Sequence, residues 1–137
     1  MFPAGFFIPG PLVNLLHIQY RPIESVISYA HKARKHSDWQ ITQLAASIRE
    51  FGFNVPVLIN GQRGVIAGYG RILAARKLGM AELPVIELKN LTAAQGRELA
   101  LSYYKLAEHA CWDDELLRVE LSELQNAGLT LEEVSYA

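Results

Sequence analysis

The stretch V65-I-A-G-Y-G-R-I-L-A-A-R-K-L-G79 decides how this chain is read. Val65–Ala67 is a short run of β-formers. Gly68-Tyr69-Gly70 breaks it, and Arg71 to about Leu78 then carries helix formers up to a glycine stop at Gly79. A strand therefore runs into a helix through two glycines. The first turn of a helix leaves N–H groups without partners and carries the positive end of the dipole. Glycine lets an anion approach that backbone, and an arginine fork clamps phosphate oxygens. Gly68, Tyr69, Gly70 and Arg71 are therefore candidates for a phosphate cradle. The bare GxGR pattern is also what a tight structural turn with a surface arginine looks like. It lacks the third glycine of a dinucleotide fingerprint, and no GxxxxGK phosphate loop occurs in the chain.

Working outward, Asn54–Asn60 reads as a strand that turns at Asn60-Gly61 and returns through Gly64–Ala67. Before it, Ser37 or Asp38 can cap a helix in which Ile41, Leu44, Ala45, Ile48 and Phe51 follow the 3.6-residue period, with Gly52 as its stop. After the central helix, Leu83–Leu88 is a further strand, with Pro84 expected near its start or on an edge. Thr92 can cap a helix with Leu99, Tyr103, Leu106 and Ala110 as its apolar positions. Asp113 can cap a last helix from Asp114 to Ala127, stopped by Gly128. Ile18–Tyr20 allows a short strand ended by Pro22, followed by a turn or irregular helix. The order αββαβαα predicts a small mixed α+β domain with a helical tail. Residues 1–16 read as an irregular apolar arm, 17–90 as the core, and 91–137 as a helical segment of the same domain.

Composition narrows the options. The 137 residues suit one domain, and half of them are apolar. Net charge is −1, but residues 1–90 sum to +5 and residues 91–137 to −6. The basic part offers a face to an anionic partner, and the acidic part reads equally well as a solvated helix. The single Cys111 excludes an internal disulfide and a four-cysteine zinc site, and it reads as a small, partly buried apolar residue. His17, His31, His36 and His109 show no metal-ligand spacing, and Ser25, Ser28, Ser37 and Ser47 have no legible base partner. Acids at Asp113, Asp114 and Glu115 suit a helix dipole. Trp39 and Trp112 are expected to pack near helix starts. The arm, interrupted at Pro3, Gly5, Pro9, Gly10 and Pro11, fits neither a signal peptide nor a membrane span, so the expectation is a cytoplasmic protein without a membrane partner. Phe2, Phe6 and Phe7 on such an arm suit self-association, for instance as a homodimer.

The ordered stretches KARKHS, LAASIREFGFNVPVL, VIAGYGRILAARKLG and LPVIEL resemble the N-terminal domain of ParB-type chromosome and plasmid partition proteins. The likeness is greatest to ParB-like domains of phages and mobile elements, and it spans about Tyr20 to Gly128. It implies a fold shared with sulfiredoxin and a nucleotide held at a GxxR turn. In partition proteins that nucleotide is CTP, which gates a DNA clamp. Other relatives bind ATP or ADP, some act as free-serine kinases, and nuclease activity has been assigned to parts of the family. The resemblance places Gly68, Tyr69, Gly70 and Arg71 at the phosphate turn. It places Phe53, Asn54 and Pro56 at the base and ribose side, Arg34 and His36 in the basic segment before the helix, and Lys105 near phosphate. Relatives carry an Asn, in a pattern like LADNKLAE, that helps to hold phosphate and Mg2+. Here the stretch reads LSYYKLAE, with Tyr104 at that position. Sulfiredoxin-type repair needs a cysteine at the turn, where this chain has Tyr69.

Three functional readings follow. The first is a module that binds CTP or ATP/ADP and acts in a DNA-associated process of a plasmid, phage or other mobile element, with weak DNA contact through Arg21–His36. The second is a nuclease or small-molecule kinase, with Glu50 as a candidate base. The third is an interaction module accessory to a DNA methyltransferase, either standing alone or as a fragment of a longer product.

Overall fold

The structure, a computed structural model, describes residues 15–26, 37–61 and 64–129. Residues 1–14 of the apolar arm and the residues Lys32, Arg34, Lys35 and His36 lie outside them. In chain order the elements are β1 (Ile18–Pro22), a 3-10 turn (Ile23–Ser25), α1 (Asp38–Phe51), β2 (Val57–Asn60), β3 (Val65–Ala67), α2 (Tyr69–Lys77), β4 (Glu82–Leu88), α3 (Ala93–His109) and α4 (Asp114–Asn126). This is the α+β arrangement expected from the sequence.

Local chemistry sets the helix ends. The Ser37 hydroxyl accepts the Gln40 N–H at 3.1 Å, and α1 stops at Gly52, whose φ is +87°. Thr92 and Gln95 form a reciprocal capping box at the start of α3. Asp113 accepts from the Glu115 and Leu116 N–H groups at α4.

The four strands order as β1-β4-β2-β3. β1 and β3 pair antiparallel with β4 and β2 respectively, while β2 and β4 run parallel. β4 is therefore interior, although it contains Pro84. The β2 ladder begins at Val57↔Val85, one residue after the proline, so β2 asks no N–H of Pro84. Likewise β2 is shorter than the expected Asn54–Asn60. Asn54 and Val55 are exposed, and Pro56, which has no N–H, stands just ahead of the ladder.

Strand alternation builds the core. Val57 and Ile59 of β2, Val65 of β3, and Leu83 and Val85 of β4 meet Ile72 and Ala75 of α2, with Ile23 and Val26 closing one end. The other side of α2 presents Ala74 to Ile41 and Ala45 of α1, with Leu44, Ile48, Leu73 and Leu78 around them. Small residues let α2 sit between the sheet and α1. The Lys77 ammonium donates to the Thr42 hydroxyl at 3.0 Å across the helix pair. Each buried Ile, Leu or Val contributes about 1.5–3 kcal/mol by its removal from water.

The C-terminal helices depart from the expected pattern. α3 packs on β3 through Gly96 and Ala100, with Leu99 and Tyr104 half-buried. Tyr103 and Leu106, expected in the core, are exposed. The small residues admit the close approach, and this turns the larger apolar side chains outward. No residue of α4 is buried. Trp39 and Trp112, expected to pack near helix starts, are more than half exposed, at 54% and 67%. Cys111 is exposed in the link between α3 and α4, not partly buried. Among the described residues no helix is long and apolar enough to cross a membrane.

Candidate functional site: the glycine turn between β3 and α2

β3 enters α2 through Gly68, which adopts φ +108° and ψ 16°. That left-handed geometry favours glycine, and so does the space around it. A Cβ there would stand 3.0 Å from Arg71 Nη2, 3.2 Å from Val57 Cγ2 and 3.3 Å from the Val57 Cα. The turn is thus pressed against the start of β2. The first intrahelical bond runs from the Ile72 N–H to the Gly68 carbonyl at 3.1 Å. The N–H groups of Tyr69, Gly70 and Arg71 precede it and lie at the positive end of the helix. Gly70 is buried, and Tyr69 is half-buried against the main core.

Arg71 reaches back over this turn. Its Nη2 donates to the Pro56 carbonyl at 3.4 Å, a long bond to a neutral acceptor. Its Nε is buried and has no hydrogen-bond partner among the described residues. Burial lowers the Arg71 pKa from its ordinary value, and the nearby Tyr104 acts in the opposite direction. An arginine holds its proton at neutral pH even so. The result is a partly desolvated positive charge, weakly satisfied, beside a helix N-terminus. An unmet buried polar group costs about 1–3 kcal/mol, and a charged acceptor relieves it. This arrangement fits a phosphate.

The fold therefore brings Pro56, Gly68, Gly70 and Arg71 together. Phe53 lies half-buried against the main core in the loop that leads to Pro56, and Asn54 beside it is exposed. Lys105 is set apart. It lies one residue past Tyr104, about 100° round the helix, and pairs with Glu108 at 3.6 Å on an exposed face. Arg34 and His36 lie outside the described residues. Arg21, the first charge of the basic segment, is held by Glu87 at 2.6 Å and by Gln19 at 2.8 Å. Glu50 is exposed on the last turn of α1. Tyr104 lies half-buried on α3, one turn beyond Ala100. The four-residue steps from Gly96 through Ala100 to Tyr104 are the signal that places it on the buried face of α3.

The model of the ParB N-terminal domain matches residues 14–103, which include every element from β1 through most of α3. The chain belongs to the ParB N-terminal domain family. This ParB-like chain is 49% identical over 80 residues to the ParB-like nuclease domain-containing protein YnaK of Escherichia coli K12, covering 58% of this chain and 92% of that protein. It is 34% identical over 89 residues to the nucleoid occlusion protein of Geobacillus kaustophilus, covering 61% of this chain but 31% of the relative. Its fold matches the crystal structure of the C-terminally truncated chromosome-partitioning protein ParB from Caulobacter crescentus complexed with CTP-γ-S. The TM-score is 0.66 at 21% identity, over 87% of this chain and 69% of that one. The glycine turn and Arg71 thus sit within the part of the chain that defines the family.

Proposed function

We propose that this ParB-like domain binds a nucleotide, CTP or ATP/ADP, at the Gly68–Arg71 turn and serves a DNA-associated process of a plasmid, phage or other mobile element. The observation that carries the reading is Arg71: a half-buried guanidinium folded over a glycine turn, with a long bond to Pro56 and a buried Nε in want of an acceptor. The nucleotide-bound state of the Caulobacter ParB, whose fold this chain shares, supports it.

In this reading the backbone N–H groups of Tyr69, Gly70 and Arg71 hold the phosphates by their dipole and hydrogen bonds, and the Arg71 guanidinium offsets their charge. Phe53 and Asn54, in the loop before Pro56, serve the base and sugar. Within the described residues the basic segment is represented by Arg21, already paired with Glu87, so DNA contact through Arg21 is weak and sensitive to salt. The name of the E. coli relative includes a nuclease domain. A metal-dependent nuclease needs converging ligands, and no group of three or more His, Cys, Asp or Glu gathers among the described residues. Binding is therefore the reading put forward.

Calorimetric titration with CTP, ATP and ADP in the presence of Mg2+ tests it. Saturable binding of one nucleotide is expected, weakened about 10- to 100-fold in Arg71→Ala, as for the loss of a charged hydrogen-bond donor. Unchanged affinity in that variant overturns the site.

A further inference from the structure

The sheet has two faces, and the main core uses one of them. Val57, Ile59, Leu83 and Val85 pack against α2, so the alternate residues of each strand point the other way. The strand register sets Ile18 of β1, Ile86 of β4 and Leu58 of β2 in one row across this second face, with Tyr20 and Pro84 side by side in the next. α3 packs on β3, at the far edge of the sheet from β1. Among the described residues the β1 side of this face is left open. Ile18 is 57% exposed and Tyr20 69%, and Leu16, two residues ahead of Ile18, is 57% exposed. Ile86 beside them is half-buried. None of Leu16, Ile18, Tyr20, Pro84 and Ile86 carries a charge. A contiguous apolar strip of this kind marks a contact surface.

We infer that the occupant of this strip is the chain's own N-terminal segment, residues 1–14, folded back over the open face of the sheet. Leu15, the first described residue, leads into β1, so the segment is tethered at one end of the strip. Tethering gives a short segment an effective concentration on the order of mM, which favours it over a second copy of the chain. The segment M1-F-P-A-G-F-F-I-P-G-P-L-V-N14 has no charged side chain, and neither does the strip. Pro9-Gly10-Pro11 is a turn signal that reverses the chain. Ahead of it, Phe2–Ile8 reaches about 23 Å when extended, against about 17 Å for the five residues of β1. The returning half is therefore long enough to cover β1 from end to end. Phe2, Phe6, Phe7 and Ile8 supply the apolar surface, each ring burying about 150–250 Å² when enclosed.

Nuclear Overhauser contacts in the full chain test this directly. Contacts are expected from the Phe2, Phe6 or Phe7 rings to the Ile18 and Ile86 methyl groups. A mixed sample of labelled and unlabelled chains retains only contacts between copies, and there they are expected to vanish. Melting of variants is the second readout. Tyr20→Thr keeps a strand-forming residue, and at an open position such a change is worth little. Under a covering segment it is expected to lower the melting temperature by about 5 °C. In a chain that also carries Phe2→Ser, Phe6→Ser and Phe7→Ser, the same change is expected to cost less than about 1 °C, because contacting groups are not additive. If the combined variant does not fold, the wild-type contacts and Tyr20→Thr alone decide. Absence of contacts between those rings and methyl groups overturns the inference, as does an unchanged melting temperature in Tyr20→Thr. Contacts that persist in the mixed sample assign the strip to a second copy and overturn it as well.

Discussion

Replacing Gly68 by alanine perturbs the turn in two separable ways. The backbone φ of +108° is unfavourable for any L-residue with a Cβ, which costs about 1–2 kcal/mol. The new methyl would also stand 3.3 Å from the Val57 Cα, a backbone atom of β2 that cannot swing aside, and 3.0 Å from Arg71 Nη2, which can. Forcing β2 and the turn apart adds about 1 kcal/mol, the lower end of the cost of overpacking. The expected total of about 2–3 kcal/mol corresponds to a fall in melting temperature of about 10 °C for a domain of this size. Gly79→Ala is the matched control. Gly79 has φ +75°, but a Cβ there meets nothing within 4 Å. That variant carries the backbone cost alone, about 1–2 kcal/mol, and so a smaller fall in melting temperature than Gly68→Ala, by about 4 °C. Both are read by calorimetric or circular-dichroism melting of the purified chain. Equal shifts for the two variants would refute the argument that β2 presses on the glycine turn.

Two further outcomes follow from the packing and capping. Leu83 is fully buried in the main core, so Leu83→Ala is expected to destabilise the domain by about 2–5 kcal/mol, read as a lower urea midpoint at unchanged slope. Ser37→Ala removes the 3.1 Å cap of α1 and is expected to lower stability by about 1 kcal/mol in the same assay, whereas Ser37→Asp keeps an acceptor and most of the stability.

The helix caps were legible because they are local. Ser37 with Gln40, Thr92 with Gln95 and Asp113 with Glu115 each act over two or three residues; side-chain chemistry identifies Thr92 and Asp113 and narrows the first cap to Ser37 or Asp38. The glycine turn was legible for the same reason: Gly68 sits between a β-forming run and a helix-forming run, with Arg71 one turn on. What the sequence by itself determined is therefore most of the elements, their order, and the glycine turn at the centre.

The tertiary structure decided the rest. Only the sheet order shows that β4 is interior and that Pro84 escapes the β2 ladder by one residue. Only the fold shows that the Arg71 guanidinium meets the Pro56 carbonyl, and that Val57 is the wall behind Gly68. Apolar spacing on α3 points to Leu99, Tyr103, Leu106 and Ala110, yet of these Leu99 is half-buried and the other three are exposed. Apolar periodicity weighs side-chain size, whereas packing on β3 selected the small Gly96 and Ala100, left Tyr104 half-buried and turned Tyr103 outward. Caps and turns depend on neighbours a few residues away. Which face of a helix is buried depends on the shape of a surface built by residues far along the chain.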